Sequence, residues 1–216
     1  MIPSVVVKLL QKIHFYYPIG LTNIQNVYPG IKLIREKIFK KMNEIQNNAD
    51  TPWKAFVHKV KAEFTYYKIS DLGHLQFPNY LLNITVEERE DKEILKNLEV
   101  VAVVSLLINF YTIFIKKETT YISFNIKESG DVFPECLIIY NESNVENELF
   151  NVIDFLKVSL SEYFPRHKFL QHKILFDYKV KGGVPYGYED ELFEPFNIFS
   201  YLFSNDLIHK KYFLLD

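Results

Sequence analysis

Apolar residues in the first third of the chain recur at the three- and four-residue intervals of helices buried on one side. Val6, Leu9, Leu10 and Ile13 mark the first helix, which Pro18-Ile19-Gly20 ends. A second pattern opens at Tyr28-Pro29-Gly30. It places Ile31, Ile34, Ile38, Phe39 and Met42 on one face, with Lys32, Arg35, Glu36 and Lys40 on the other, and closes at Asn47-Asn48. Thr51-Pro52 is a helix start, a capping hydroxyl followed by proline at the first helical position. Trp53, Phe56, Val57, Val60 and Phe64 continue the apolar stripe of a third helix.

The period then changes to two. Tyr80, Leu82, Ile84 and Val86 alternate with Asn83, Thr85 and Glu87, which predicts a strand with one wet face. Residues 98–107 and 110–117 are almost continuously apolar and read as two central strands. Tyr121 to Ile126 predicts a fourth strand, Lys127-Glu128-Ser129-Gly130-Asp131 a turn, and Cys136 to Tyr140 a further short strand. Short links between consecutive strands favour an antiparallel meander.

A helix returns at 144–163, with Val145, Leu149, Val152, Ile153, Leu156, Leu160 and Tyr163 on its buried side. Ile174, Phe176, Tyr178 and Val180 alternate as an expected last strand, and Phe196 to Phe203 reads as a short aromatic helix. The fold class expected is α+β: a meander of four to six strands packed with N-terminal and C-terminal helices. One domain of 216 residues accommodates it, with a helical part at 1–68, the strands at 79–140 and a helix, a strand and an aromatic tail at 144–216.

Composition adds limits. With 19 Phe, 15 Tyr and one Trp the chain has ample apolar surface to fold, so bulk disorder is excluded. The single cysteine, Cys136, excludes a disulfide scaffold and CxxC metal sites, and with no cation nearby in sequence it reads as an inert core thiol. The N-terminus lacks the form of a signal peptide. Val100 to Ile115 is shorter than the roughly 20 apolar residues of a membrane span and reads better as two buried strands. A cytoplasmic protein with no membrane segment is the expectation.

Charge is distributed unevenly. Residues 1–68 hold 11 Lys and Arg against 4 Asp and Glu, whereas the rest of the chain holds 14 against 23, within a net charge of −2. Lysine outnumbers arginine 22 to 3, as in proteins from AT-rich bacterial genomes. Lys37, Lys40, Lys41, Lys59 and Lys61 are candidates for contacts to phosphates, but they alternate with apolar positions as a solvated helix face does. With arginine so scarce, nucleic acid is disfavoured as a partner. The sharpest local feature is 182–209, which has no Lys or Arg. There Tyr186, Tyr188, Glu189, Asp190, Glu191 and Glu194 combine carboxylates that would steer a basic partner with rings that would anchor it. These six residues are the candidate partner-binding site.

Catalytic motifs are not in evidence. The seven glycines form neither GxGxxG nor GxxxxGK[ST], and neither GxSxG nor HExxH occurs. His167 and His172 lie near Asp177 in sequence, but i, i+5 spacing puts them about 140° apart on a helix and on opposite faces of a strand. Both read as surface residues, and His58 reads as exposed. No metal or cofactor is expected. A small hydrolase or transferase built from dispersed histidines and carboxylates is the alternative to a binding protein.

The segment Ser105 to Phe114, together with Gly183-Val184-Pro185-Tyr186-Gly187-Tyr188 and Phe196 to Phe203, resembles bacterial immunity proteins of polymorphic-toxin and type VI secretion systems. The resemblance rests on hydrophobic patterns over about half the chain and carries over no site residues. It implies a cytoplasmic, non-enzymatic protein that neutralises a toxin by binding and occluding it.

Overall fold

The computed structural model describes residues 3–21, 27–91, 94–121, 134–140, 147–188, 195–203 and 212–215. In chain order the elements are α1 (Ser4–Tyr16), α2 (Pro29–Gln46), α3 (Pro52–Glu63), β1 (Lys68–Asp71), β2 (Asn79–Asp91), β3 (Ile94–Ser105), β4 (Phe110–Tyr121), β5 (Pro134–Tyr140), α4 (Asn147–Tyr163), β6 (Lys168–Phe169), α5 (His172–Asp177), β7 (Lys179–Val180), β8 (Phe196–Asn197), α6 (Ile198–Leu202) and β9 (Tyr212–Leu215). The sheet runs β1-β2-β3-β4-β5-β9, antiparallel from β1 to β5. The predicted α+β meander is therefore present. It is extended by β9 and β6, which join β5 and β4 in parallel, and by β1, which the alternation did not reveal.

Both faces of the sheet are covered. Val101, Val103 and Phe114 face a core built with α1, α2, α5 and α6. Val100, Ala102, Val104, Ile113 and Ile115, one residue out of phase, face a second core built with α3 and α4. Double coverage is why β3 and β4 read as continuous apolar runs. The segment Val100 to Ile115 is two strands, and no helix among the described residues is long and apolar enough to cross a membrane. The wet face assigned to β2 is partly filled, since Leu81 and Asn79 are buried on that side.

Helix ends follow the local chemistry. Thr51 Oγ1 accepts from the Lys54 N–H at 3.2 Å, as the capping pattern predicts. Gly30 lies in the first turn of α2 against the last turn of α1; a Cβ there would come within 2.4 Å of the Phe15 and Tyr16 carbonyl oxygens. Only glycine lets the two helices approach so closely.

Three expectations are corrected. The apolar stripe of α2 is Ile31, Ile34 and Ile38 continued by Lys41, while Phe39 points to solvent at 68% exposure. Lys41, only 2% exposed, replaces a hydrophobic side chain because its ammonium donates to the carbonyls of Leu75 at 2.6 Å, Phe77 at 2.9 Å and Asn79 at 2.9 Å. Three donors meet three acceptors, so the charge is buried with its hydrogen bonds made. Burial nonetheless pushes the Lys41 pKa down to about 8. The expected strand at 174–180 is instead α5 followed by two-residue β7. His172, Leu175 and Phe176 are buried together at helical spacing, and Phe176 stacks on Phe199 at 4.7 Å. His172, expected on the surface, lies in that aromatic core, 6.1 Å from the Phe114 ring centre.

Of the remaining expected elements, Val145 and residues 122–133 lie outside the described residues, as does the Cys136 side chain, although its strand β5 is in place.

The Lys41 contacts tie α2 to the chain between β1 and β2. Lys41→Met should lower stability by more than about 2 kcal/mol in urea unfolding, because three carbonyls lose their donor. Lys40→Met, on a side chain 80% exposed, should leave the unfolding midpoint unchanged.

Candidate functional site

Among the six predicted site residues, Tyr186 and Tyr188 are described and Glu189, Asp190, Glu191 and Glu194 are not. Both tyrosines are partly buried and pack against the core on the α1 side of the sheet. The Tyr188 ring sits 4.8 Å from Phe196, and burial pushes its phenol up to about 12. The chain entering this region is fixed at several points. The Gly20 N–H donates to the Gly182 carbonyl at 2.6 Å, and the Tyr201 hydroxyl donates to the Gly183 carbonyl at 2.6 Å. The buried Tyr17 hydroxyl donates to the Tyr201 carbonyl at 2.7 Å, and burial holds its pKa far above the usual phenol range. Gly20 and Gly182 adopt φ of +77° and +87°, which explains glycine at both positions. The two tyrosines thus anchor the chain up to residue 188 in the core, where Tyr188 contacts Phe196.

A second polar region was not foreseen. On the sheet face covered by α1, α2, α5 and α6, the strands continue past Val101 and Phe114 into Asn97, Glu99, Lys116 and Glu118. Lys116 Nζ lies 2.5 Å from Glu99 and 3.4 Å from Glu118, and Asn83 donates to Glu99 at 3.3 Å. Burial alone would lower the Lys116 pKa, but Glu99 and Glu118 together outweigh it and hold it above the ordinary lysine value. The amide oxygens of Asn83 and Asn97 are buried with no hydrogen-bond partner among the described residues. The group therefore sets two carboxylates beside one ammonium. Its sequence signal was present in the i, i+2 pairs Asn97/Glu99 and Lys116/Glu118, which strand alternation puts on one face. Which neighbours share that face is set by the pairing.

Two of the histidines, His167 and His172, pack within the fold. A His167 ring nitrogen lies 3.3 Å from the Ser105 carbonyl and its ring stands edge-on to Phe164 at 5.5 Å, while His58 is exposed as expected. A groove of about 510 Å³ between α1 and the β3–β4 connection is lined by Lys8, Lys12, Phe15, Ile108 and Phe110 among others, with no histidine or carboxylate among the described residues. Among the described residues no group of three or more His, Cys, Asp or Glu gathers to hold a metal. Of the lysines proposed for phosphate contact, Lys41 is buried and Lys59 is paired with Glu162 at 2.6 Å.

No family model, curated protein or solved structure matches this chain.

Tyr188→Ala should lower stability by about 1–3 kcal/mol in denaturant unfolding, because it removes a half-buried ring. Burial lowers the His167 pKa below 6.5, so the unfolded chain binds this proton more tightly than the folded one. Its contribution is complete above about pH 6.5 and is lost as pH falls through the folded value. His167→Gln should flatten the loss of melting temperature between about pH 7 and 5 relative to wild type.

Proposed function

We propose that this chain is a non-catalytic cytoplasmic binding protein that neutralises a partner by occlusion, an immunity protein against a secreted bacterial toxin with a basic surface. The observation that carries the reading is the clamp beneath the acidic segment. Tyr188 and Phe196 bracket residues 189–194, and the Gly20–Gly182 and Tyr201–Gly183 bonds hold the chain leading into them. Binding side chains are disproportionately carried on loops set on a rigid scaffold. The bracketed stretch holds Glu189, Asp190, Glu191 and Glu194 without a basic residue. In this reading the carboxylates draw in and orient a cationic partner, and the tyrosines fix the chain just before them while lending their exposed edges to the contact. The engagement of His167 and His172 within the fold supports a binding role over an acid–base one.

The test is affinity purification of the tagged chain from its own host, comparing wild type with a Glu189→Lys, Asp190→Lys, Glu191→Lys triple variant. One dominant partner should co-purify and fall at least about tenfold in the triple variant, because like charges then face its basic surface. The melting temperature should be unchanged. Equal recovery of the partner by both proteins would remove the loop from the interface, and recovery of none would remove the reading.

A further inference from the structure

We propose that the outer half of β2 is an open sheet edge that accepts an extended segment of the partner, one carrying lysine or arginine at alternate positions. The inference rests on the binding-protein reading and gives the partner's chemistry. β1 covers β2 only from Leu82 to Thr85, ending at the Lys68–Thr85 pair. From Glu87 to Asp91, β2 has one neighbour among the described residues, β3, paired through Asp91–Ile94. A strand bonded on one side only presents the outward half of its N–H and C=O groups to any chain that can align with it. Five residues match a typical strand length. The register shift between Thr85 and Glu87 marks the point where the covered half ends and the open half begins.

Charge selects the occupant. Glu88 and Glu90 are exposed and lie opposite Asn97 and Leu95, so both stand on the face that carries Glu99 and Glu118. Lys116 is held between Glu99 and Glu118, both largely shielded, which leaves Glu88 and Glu90 as the exposed carboxylates of that face. The opposite face carries Glu87, which pairs with Arg89, and Lys96 and Lys117. The acidic excess therefore belongs to one face, and a strand with cations at every second position would match it while leaving neutral residues towards the other. Lys68 contacts Glu88 at 3.6 Å, but both side chains are at least half exposed, so a partner cation can share that carboxylate. A second copy of this chain is a poor occupant. Pairing two such edges would bring Glu87, Glu88 and Glu90 against one another, and like charges across strands repel.

The experiment titrates the full chain with capped six-residue peptides and follows binding by calorimetry and amide exchange at 86–91. One peptide alternates lysine with valine or threonine, a second holds the same residues with the lysines contiguous, and a third is the alternating peptide with every second backbone nitrogen methylated on the bonding edge. The alternating peptide should bind and slow exchange at 86–91, and the other two should bind at least tenfold more weakly. Glu88→Lys/Glu90→Lys, which changes only exposed side chains, should weaken binding at least tenfold with an unchanged melting temperature. No binding of the alternating peptide, equal binding of the methylated one, or an unaffected double variant would each overturn the edge. The two readings fail separately. Peptide failure with a captured partner removes only the edge, whereas strand addition without any captured partner removes the immunity reading and leaves the edge.

Discussion

The constraint on which the rest of the structure depends is that β3 and β4 are apolar on both sides between Val100 and Ile115. A strand of this kind cannot face water on either side without exposing residues such as Val101, Val103 and Phe114 or Val100, Ala102 and Ile113. Each such valine, isoleucine or phenylalanine contributes roughly 1.5–3 kcal/mol when buried, so a helical layer on only one face would forgo about half of that gain. The chain meets the demand by sending α1 and α2 to one face and α3 to the other before the sheet begins. It then repeats the division with α4 on the second face and α5 and α6 on the first. The crossing of α1 and α2 at Gly30 and the seating of Ser105, whose hydroxyl donates to the Leu202 carbonyl at 2.5 Å, serve this arrangement.

Polar groups enter the interior where the backbone would otherwise lack partners. Lys41 is the plainest case: an ammonium in an apolar stripe is tolerated because the chain between β1 and β2 turns three carbonyls onto it. The Tyr17–Tyr201–Gly183 relay works similarly at the other end of the core, where two phenols tie α1, α6 and the segment before Tyr186 together. These bonds fix irregular chain as firmly as a ladder fixes strands. They are what gives the segment after Tyr188 a defined starting point.

Past Thr85, Glu99 and Lys116 the strands carry carboxylates, lysines and a carboxamide among apolar residues such as Val86 and Leu98. The sheet is thus apolar where both cores meet it and mixed in charge beyond, with Lys116 held between Glu99 and Glu118. Tyr188 and Phe196 pack in the apolar part, and residues 87–91 of β2 belong to the charged part.

Element type and sequence were legible in the chain because periodicity reports burial directly. The first three helices, the Thr51 cap, the central strands, β5 and the helix ending at Tyr163 all announce themselves through one-sided or continuous apolar patterns. What tertiary structure alone decided follows from contacts distant in sequence. Ile174, Phe176, Tyr178 and Val180 alternate like a strand, yet the stacking of Phe176 on Phe199 and the burial of Leu175 beside it favour a helical turn over 172–177. Lys41 looks like one solvated lysine among several until the carbonyls of Leu75, Phe77 and Asn79 converge on it. The parallel partners β6 and β9 are too short for periodicity to register, and only the sheet's open ladders place them. Tyr186 and Tyr188 read as conspicuous in sequence, but whether a ring faces a partner or its own core depends on what stands opposite, here Phe196 for Tyr188. The Asn97, Glu99, Lys116 and Glu118 group was only half legible for the same reason: alternation fixes the face of each strand, and only register brings the two strands' polar ends together.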